Sequence, residues 1–199
     1  MREIGHDLAA VILEPMMGGG GCIPANRDFL VMLRETTREI GALLIFDEVM
    51  TSRQAYRGLH GAHAINPDLV TLGKYLGGGA RFGGRADIID RFDPAAADSF
   101  SHGGTFNNNI LSMAAGFTGF TEVLTEDASR AVNDRGDRLR DAMNVALEQH
   151  RVDGVVLGRG SLMALHFVAG PVDTPGLLDA ADPDLIALCM WRCCCAASM

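Results

Sequence analysis

A parallel α/β sheet is the fold class that the sequence predicts, and two observations carry the prediction. Three short apolar runs end abruptly at charged residues or glycine, and a helix-patterned segment separates the first from the second. The first run, Ala9-Ala10-Val11-Ile12-Leu13, stops at Glu14-Pro15 and a glycine stretch, as a strand buried on both faces and followed by a loop would. Asn26 then stands where an N-cap belongs. Phe29, Leu30, Leu33 and Ile40 recur at helical spacing, and Gly41 occupies the position just past the helix end. Ala42-Leu43-Leu44-Ile45-Phe46 is the second buried run, closed by Asp47-Glu48. A loop carrying Gly58, Gly61, Asn66 and Pro67 leads to the third, Leu69-Val70-Thr71-Leu72, with Gly73-Lys74 at its exit.

The remaining elements follow in order. Glycines 77–79 and 83–84 mark a loop-rich middle. Asn107, Asn108 or Asn109 would cap a helix through Met113, Gly116 and Phe120, whose small residues allow close packing. A second, highly charged helix is expected from about Thr125 to His150, with Ala131, Leu139, Met143 and Leu147 turned inward. A strand is expected over 163–168, a loop over 171–183 and a poorly ordered tail at the cysteine cluster Cys189 to Cys195. The domain change is placed near Val152, giving segments 1–151 and 152–199.

Composition excludes several classes. Of 199 residues, 17 are Lys or Arg and 25 are Asp or Glu, a net charge of −8 that argues against a nucleic-acid binder. No apolar run is long enough for a membrane span, and the first residues form no secretory h-region. The five cysteines are odd in number, and three of them, Cys193 to Cys195, are consecutive. That spacing suits neither a disulfide framework nor a zinc site, and it fits a reducing, cytoplasmic setting.

Lys74 is the only lysine in the chain. Arginine pairs, stacks and solubilises but stays protonated, so a lone lysine points toward amine chemistry. In open parallel sheets ligands bind beyond the carboxyl ends of the strands. Glu14, Asp47 and Lys74 stand at three such ends. Each alone has an ordinary reading as a turn, cap or surface residue. A second candidate is the run Ser101-His102-Gly103-Gly104-Thr105-Phe106-Asn107-Asn108-Asn109, small and polar ahead of a helix. It suits a phosphate as well as it suits a plain capped loop. The six histidines are scattered, and no metal-binding pattern is present.

Taken in order, Glu14-Pro15, then Ile45-Phe46-Asp47-Glu48-Val49-Met50-Thr51, then the run from Pro67 through Lys74 to Gly79, then Phe82-Gly83-Gly84-Arg85, then His102 to Asn109, the set resembles class III pyridoxal-phosphate aminotransferases. Within them it is most similar to glutamate-1-semialdehyde 2,1-aminomutase-like members, over about residues 8–168. The resemblance implies fold type I of the pyridoxal-phosphate-dependent transferases, like aspartate aminotransferase. The chain would hold part of the large domain, with a mainly parallel sheet, and the start of the small C-terminal domain.

The resemblance also implies roles. Lys74 would carry pyridoxal 5'-phosphate as a Schiff base and move the substrate proton. Asp47 would pair with the pyridine nitrogen, Val49 would pack on a ring face, and Thr105 would bind the cofactor phosphate, in this family that of the partner subunit of a homodimer. Glu14 and Tyr75 match family positions with structural roles. The substrate would be an amino acid, amino-aldehyde or keto acid, and the reaction amino-group transfer.

Three departures qualify the match. The segment upstream of Met1 that holds the family's phosphate loop and stacking aromatic is missing, and the loop between the two glycine groups is short. After about Leu188 the chain no longer reads like the family. A truncated or frameshifted gene product would account for both ends. The alternatives are a catalytically incompetent fragment serving as an interaction module, and a small phosphate-ligand binder using the Thr105 loop alone.

Overall fold

The computed structural model describes residues 3–75, 81–101 and 109–196, the last three of these and residues 81–82 by backbone alone. The chain divides into two compact units. One comprises residues 1–15 and 25–130, the other residues 16–24 and 131–199.

In the first unit, strand β1 is Ala10–Leu13. The short strands β2, Met16–Met17, and β3, Ile23–Pro24, pair antiparallel and belong to the second unit. Helix α1, Arg27–Ile40, starts where its sequence says it should. The Asn26 side chain accepts the Asp28 N–H at 2.8 Å, satisfying one of the unpaired donors of the first turn. It ends at Gly41, whose φ of 74° is the left-handed conformation that glycine adopts without strain. Strand β4 is Leu43–Asp47, helix α2 is Gly58–His63 within the expected loop, and strand β5 is Leu69–Leu72.

Strand β6, Arg81–Gly84, returns antiparallel to β5, so the sheet order is β1-β4-β5-β6 with the first three parallel. The register sets Leu13 beside Phe46 and Asp47 beside Thr71. Short helix α3, Ala86–Ile89, follows, then α4, Ile110–Thr118, capped by Asn109 through Ser112 N–H at 3.1 Å.

The core of this unit lies between α1 and one sheet face. Leu30 and Leu33 meet Leu44, Phe46 and Ile65. Each fully buried side chain among them contributes about 1.5–3 kcal/mol. Strand β4 alternates, with Leu44 and Phe46 inward and Leu43 and Ile45 on the other face. Among the described residues that second face is open. Ile12 is 60% exposed, and a cavity of about 580 Å³ runs over Ile12, Leu43, Ile45 and Leu69 to Phe92 and Phe100. The expectation of strands buried on both faces is therefore corrected. A continuous apolar run reports that both faces suit burial, not that both are covered. Helix α4 also departs from expectation: Ile110, Leu111 and Phe117 are exposed instead of closely packed.

Helix α5, Glu126–Gln149, supplies the second unit with its longest element. Strands β7, Val155–Arg159, and β8, Leu162–His166, form an antiparallel hairpin, of which the sequence reading found only the second strand. Of the apolar set expected inward on α5, Met143 and Leu147 are half-buried, while the most buried positions, Ser129, Asn133 and Gly136, are polar or glycine. Ala131 and Leu139 are exposed. Asn144 instead exchanges two bonds with Val156, donating at 3.0 Å and accepting at 2.8 Å. Asn133 and Asp137 accept the N–H groups of Ser161 and Gly160 at 2.9 and 2.8 Å. The hairpin turn has donors that need acceptors, and the helix phase follows them. Helix α6, Pro183–Ala196, occupies the tail expected to lack order.

Gly136 faces the same turn, and a β-carbon there would collide with the Gly160 carbonyl oxygen. Gly136→Ala is expected to lower stability by about 1–3 kcal/mol through this overpacking. A urea-unfolding midpoint indistinguishable from the parent's would refute the contact. Among the described residues, no helix is long and apolar enough to cross a membrane.

Candidate functional site

Three parallel strands running the same way bring their carboxyl ends to one edge of the sheet, and the sequence places a polar residue just past each. Glu14 follows β1 and is half-buried. Asp47 closes β4, also half-buried, beside Thr71 of the neighbouring strand. Lys74 follows β5 by two residues and is exposed. The pairing of β4 and β5 continues past the last aspartate, because the Glu48 N–H donates to the Thr71 carbonyl at 3.0 Å. Adjacent strands lie about 4.8 Å apart, so the carboxylate and the amine rise from neighbouring exits.

The Asp47 carboxylate is oriented by two donors. The Val49 N–H reaches Oδ1 at 3.0 Å, and the Thr71 hydroxyl reaches the same oxygen at 2.9 Å. Both fall on one oxygen, and Oδ2 has no hydrogen bond among the described residues. The arrangement fixes the carboxylate and leaves one oxygen to accept from a ligand. Val49 is half-buried and is tied to Asp47 through its backbone.

Lys74 has φ 52°, a left-handed conformation that costs a non-glycine residue roughly 1–2 kcal/mol. Such strain persists where surrounding structure imposes it, and it concentrates at functional sites. Among the described residues, its side chain makes no ion pair. An oriented carboxylate with one oxygen unfilled, and at the neighbouring strand exit an amine with no ion pair, both among the described residues, suit a ligand with a cationic N–H and an electrophilic carbonyl. Thr105 lies outside the described residues, as do the glycine group at 77–79 and the rest of the 102–108 run.

Sequence reasoning missed the groups that support this edge. Glu48 is fully buried, and its carboxylate binds four donors. Oε2 accepts the Leu59 N–H at 2.6 Å and the Thr51 hydroxyl at 3.4 Å. Oε1 accepts the His60 N–H at 2.7 Å and faces His60 Nδ1 at 2.6 Å. The carboxylate thus pins the start of α2 to the residue after Asp47. Tyr75, next to the lysine, donates its hydroxyl to Ser52 Oγ at 3.0 Å. Burial raises its phenol above the ordinary value of 10.0, reinforced by the Glu48 charge and opposed by the Ser52 bond and Arg53. The sequence signal for Thr71 was a single hydroxyl inside the apolar run Leu69-Val70-Thr71-Leu72. None existed for Ser52 or His60, whose contacts require the folded turn.

Glu48→Gln is expected to cost about 1–3 kcal/mol, since either amide orientation sets an NH₂ against buried donors. A chemical-denaturation midpoint equal to the parent's would overturn the role given to this carboxylate.

Comparison with known proteins gives the family and the fold. The class-III aminotransferase family model matches residues 1–184. A β-phenylalanine transaminase from Variovorax paradoxus is 48% identical over 94% of this chain and 44% of its own length. A glutamate-1-semialdehyde 2,1-aminomutase from Limosilactobacillus reuteri subsp. reuteri is 37% identical over 96% of the chain and 44% of its own length. The solved structure of the Variovorax β-phenylalanine aminotransferase superposes with a TM-score of 0.87 at 47% identity, covering 91% of this chain and 43% of that one. The chain thus spans less than half the length of these relatives. By sequence along nearly its whole length and by fold, it belongs to the class-III aminotransferase family.

Proposed function

We propose that the chain carries the lysine-bearing part of a pyridoxal-phosphate-dependent amino-group transfer site. The observation that carries the reading is the Asp47–Lys74 edge. An oriented carboxylate with one oxygen unfilled and the chain's sole lysine stand at adjacent strand exits within an aminotransferase fold. When bound, pyridoxal phosphate supplies an electron-withdrawing ring and an aldehyde through which an amino group passes between substrates.

The chain's own residues would do the rest. Lys74 would hold the cofactor aldehyde covalently and then move the proton at the substrate carbon. Asp47 would accept from the pyridine N–H and keep that nitrogen protonated. Val49 would pack on the ring and Thr105 would take the phosphate, in a homodimer acting in the cytoplasm. Residues 1–151 would belong to the large domain and 152–199 to the small one.

On substrate, 48% identity to a β-phenylalanine transaminase against 37% to an aminomutase favours transfer between two molecules over the glutamate-1-semialdehyde rearrangement expected from the sequence. The amino donor would be an amino acid and the acceptor a keto acid. The test is cofactor attachment: add pyridoxal phosphate, record the visible absorption band, reduce with borohydride and map the modified peptide. A label on Lys74 supports the reading, and a stable chain that takes none overturns it.

One observation favours a second reading, a non-catalytic interaction module of the same fold. The open apolar face around Ile12 and Ile45 is large for a protein working alone. A module would associate with another polypeptide and take no label. A monomer in sedimentation that unfolds cooperatively would count against it.

A further inference from the structure

The left-handed turn at Lys74 raises the question of what holds it. Its side chain is exposed and makes no ion pair among the described residues, so the lysine does not hold itself. On its upstream side the anchor is Thr71, bonded to Asp47 through its hydroxyl and to Glu48 N–H through its carbonyl. Leu72 and the buried Gly73 separate that anchor from the lysine. On the downstream side the anchor is immediate. Tyr75 donates to Ser52 Oγ at 3.0 Å, and its ring meets Phe120 with centroids 5.8 Å apart at 55°.

Ser52 is itself fixed. It is 7% exposed, and its N–H donates to the Glu48 carbonyl at 3.0 Å. Glu48 is the covalent neighbour of Asp47 and is locked by its four donors. A short path therefore runs from Lys74 through the Tyr75 hydroxyl, Ser52 and Glu48 to Asp47. Together with the Thr71 path it closes a loop around the two strand exits.

We infer that Tyr75 is a positioning residue. Its hydroxyl, through Ser52, ties the turn bearing Lys74 to the turn bearing Asp47 and sets the amine against the carboxylate. The inference rests on the reading of Lys74 as the cofactor-bearing lysine and extends it to a residue expected to be merely structural. The ring and the hydroxyl have separable duties. The ring fills space against Phe120, and the hydroxyl fixes registry between two turns. Tyr75→Phe keeps the first and removes the second.

The experiment uses the full chain as the parent, Tyr75→Phe, Ser52→Ala and the double variant. The first readout needs no cofactor: amide hydrogen exchange of the peptide spanning residues 70–76. Losing one neutral hydrogen bond should speed local exchange about fivefold in each single variant. The double variant should show no further increase, because the two groups form one bond. The thermal midpoint should stay close to the parent's. The second readout is the extent of borohydride-trapped pyridoxal phosphate on Lys74 at limiting cofactor, expected to fall about fivefold in both singles alike.

Unchanged exchange in Tyr75→Phe overturns the inference, and so do additive effects in the double variant. A parent that labels well and a Tyr75→Phe variant that labels equally well also overturn it, leaving the reading of Lys74 intact. A parent that takes no label overturns that reading instead, and the exchange readout still decides whether the tether exists.

Discussion

Lys74→Ala is expected to leave no covalent pyridoxal phosphate on the chain after borohydride reduction, a complete loss and the largest functional effect anticipated here. The expectation is unusually sharp because the chain has one lysine. In most proteins surface lysines react with the cofactor aldehyde and blur the result. Here the amines are Lys74 and the α-amino group, and peptide mapping separates them. Lys74 is exposed in a left-handed turn and, among the described residues, has no ion-pair partner whose loss would unfold the protein. Alanine should therefore leave the unfolding free energy within about 0.5 kcal/mol of the parent's. Label persisting elsewhere in Lys74→Ala, at the parent's level, would defeat the assignment. A parent labelled only at its α-amino group would do the same.

The outcome also separates ancestry from function. The chain spans 44% of the length of the β-phenylalanine transaminase it resembles. A labelled Lys74 would mean that the Asp47–Lys74 edge suffices to hold the aldehyde without the rest of that fold. Glu48, Thr71 and Ser52 explain how it would. The supports of the two strand exits are local, drawn from residues 47–75, and each hydrogen bond closes within that span.

What was legible in the sequence was the part set by strong local contrast. The three parallel strands announced themselves as apolar runs cut off by Glu14, Asp47 and Gly73-Lys74, and the same cut-offs marked the site. Asn26 and Gly41 bounded α1 because capping is chemistry between near neighbours. The misses share a different cause. The phase of α5 was taken from its apolar residues, yet Asn133 and Asn144 face the hairpin because backbone groups of its turn and of β7 need partners. Strand β7 was overlooked because Gly158 and Arg159 break its apolar pattern. The open face of the sheet was invisible for a similar reason: Ile12 and Ile45 look like core residues whether or not anything covers them. The phase of α5 and the open face depend on a partner elsewhere in the chain or outside it, whereas β7 was lost to its own local pattern.

The largest expected effect on stability comes from Asp68, which joins elements that the sequence reading left unconnected. Oδ2 accepts the Leu44 N–H and Arg34 Nη1, both at 2.8 Å, and Oδ1 accepts Arg85 Nη1 at 3.0 Å. One carboxylate thus ties α1, β4 and the residue after β6 to the start of β5. Arg34 is 7% exposed, so removing its counter-charge strands a buried guanidinium. Asp68→Ala should cost about 3–5 kcal/mol, the range for breaking one side of a buried pair. Against the 5–15 kcal/mol typical of a whole domain, that loss alone would bring the sheet near unfolding. Arg85→Ala should cost much less than Asp68→Ala, because Arg85 is half exposed and solvent screens its pair. The acid dependence follows from the same contacts. Burial pushes the Asp68 carboxyl up, but the Leu44 N–H, Arg85 and Arg34 outweigh it and hold the group below its ordinary 3.8. A carboxyl lowered in the folded state binds fewer protons there than in the unfolded chain. Its stabilisation is therefore full above the unfolded value and is lost as pH falls below about 4 and through the folded one. Unfolding midpoints measured from pH 7 to pH 2.5 should fall steeply at the acid end in the parent and less steeply in Asp68→Asn, which has no such proton to bind. Equal slopes in the two proteins would mean that Asp68 does not anchor the sheet.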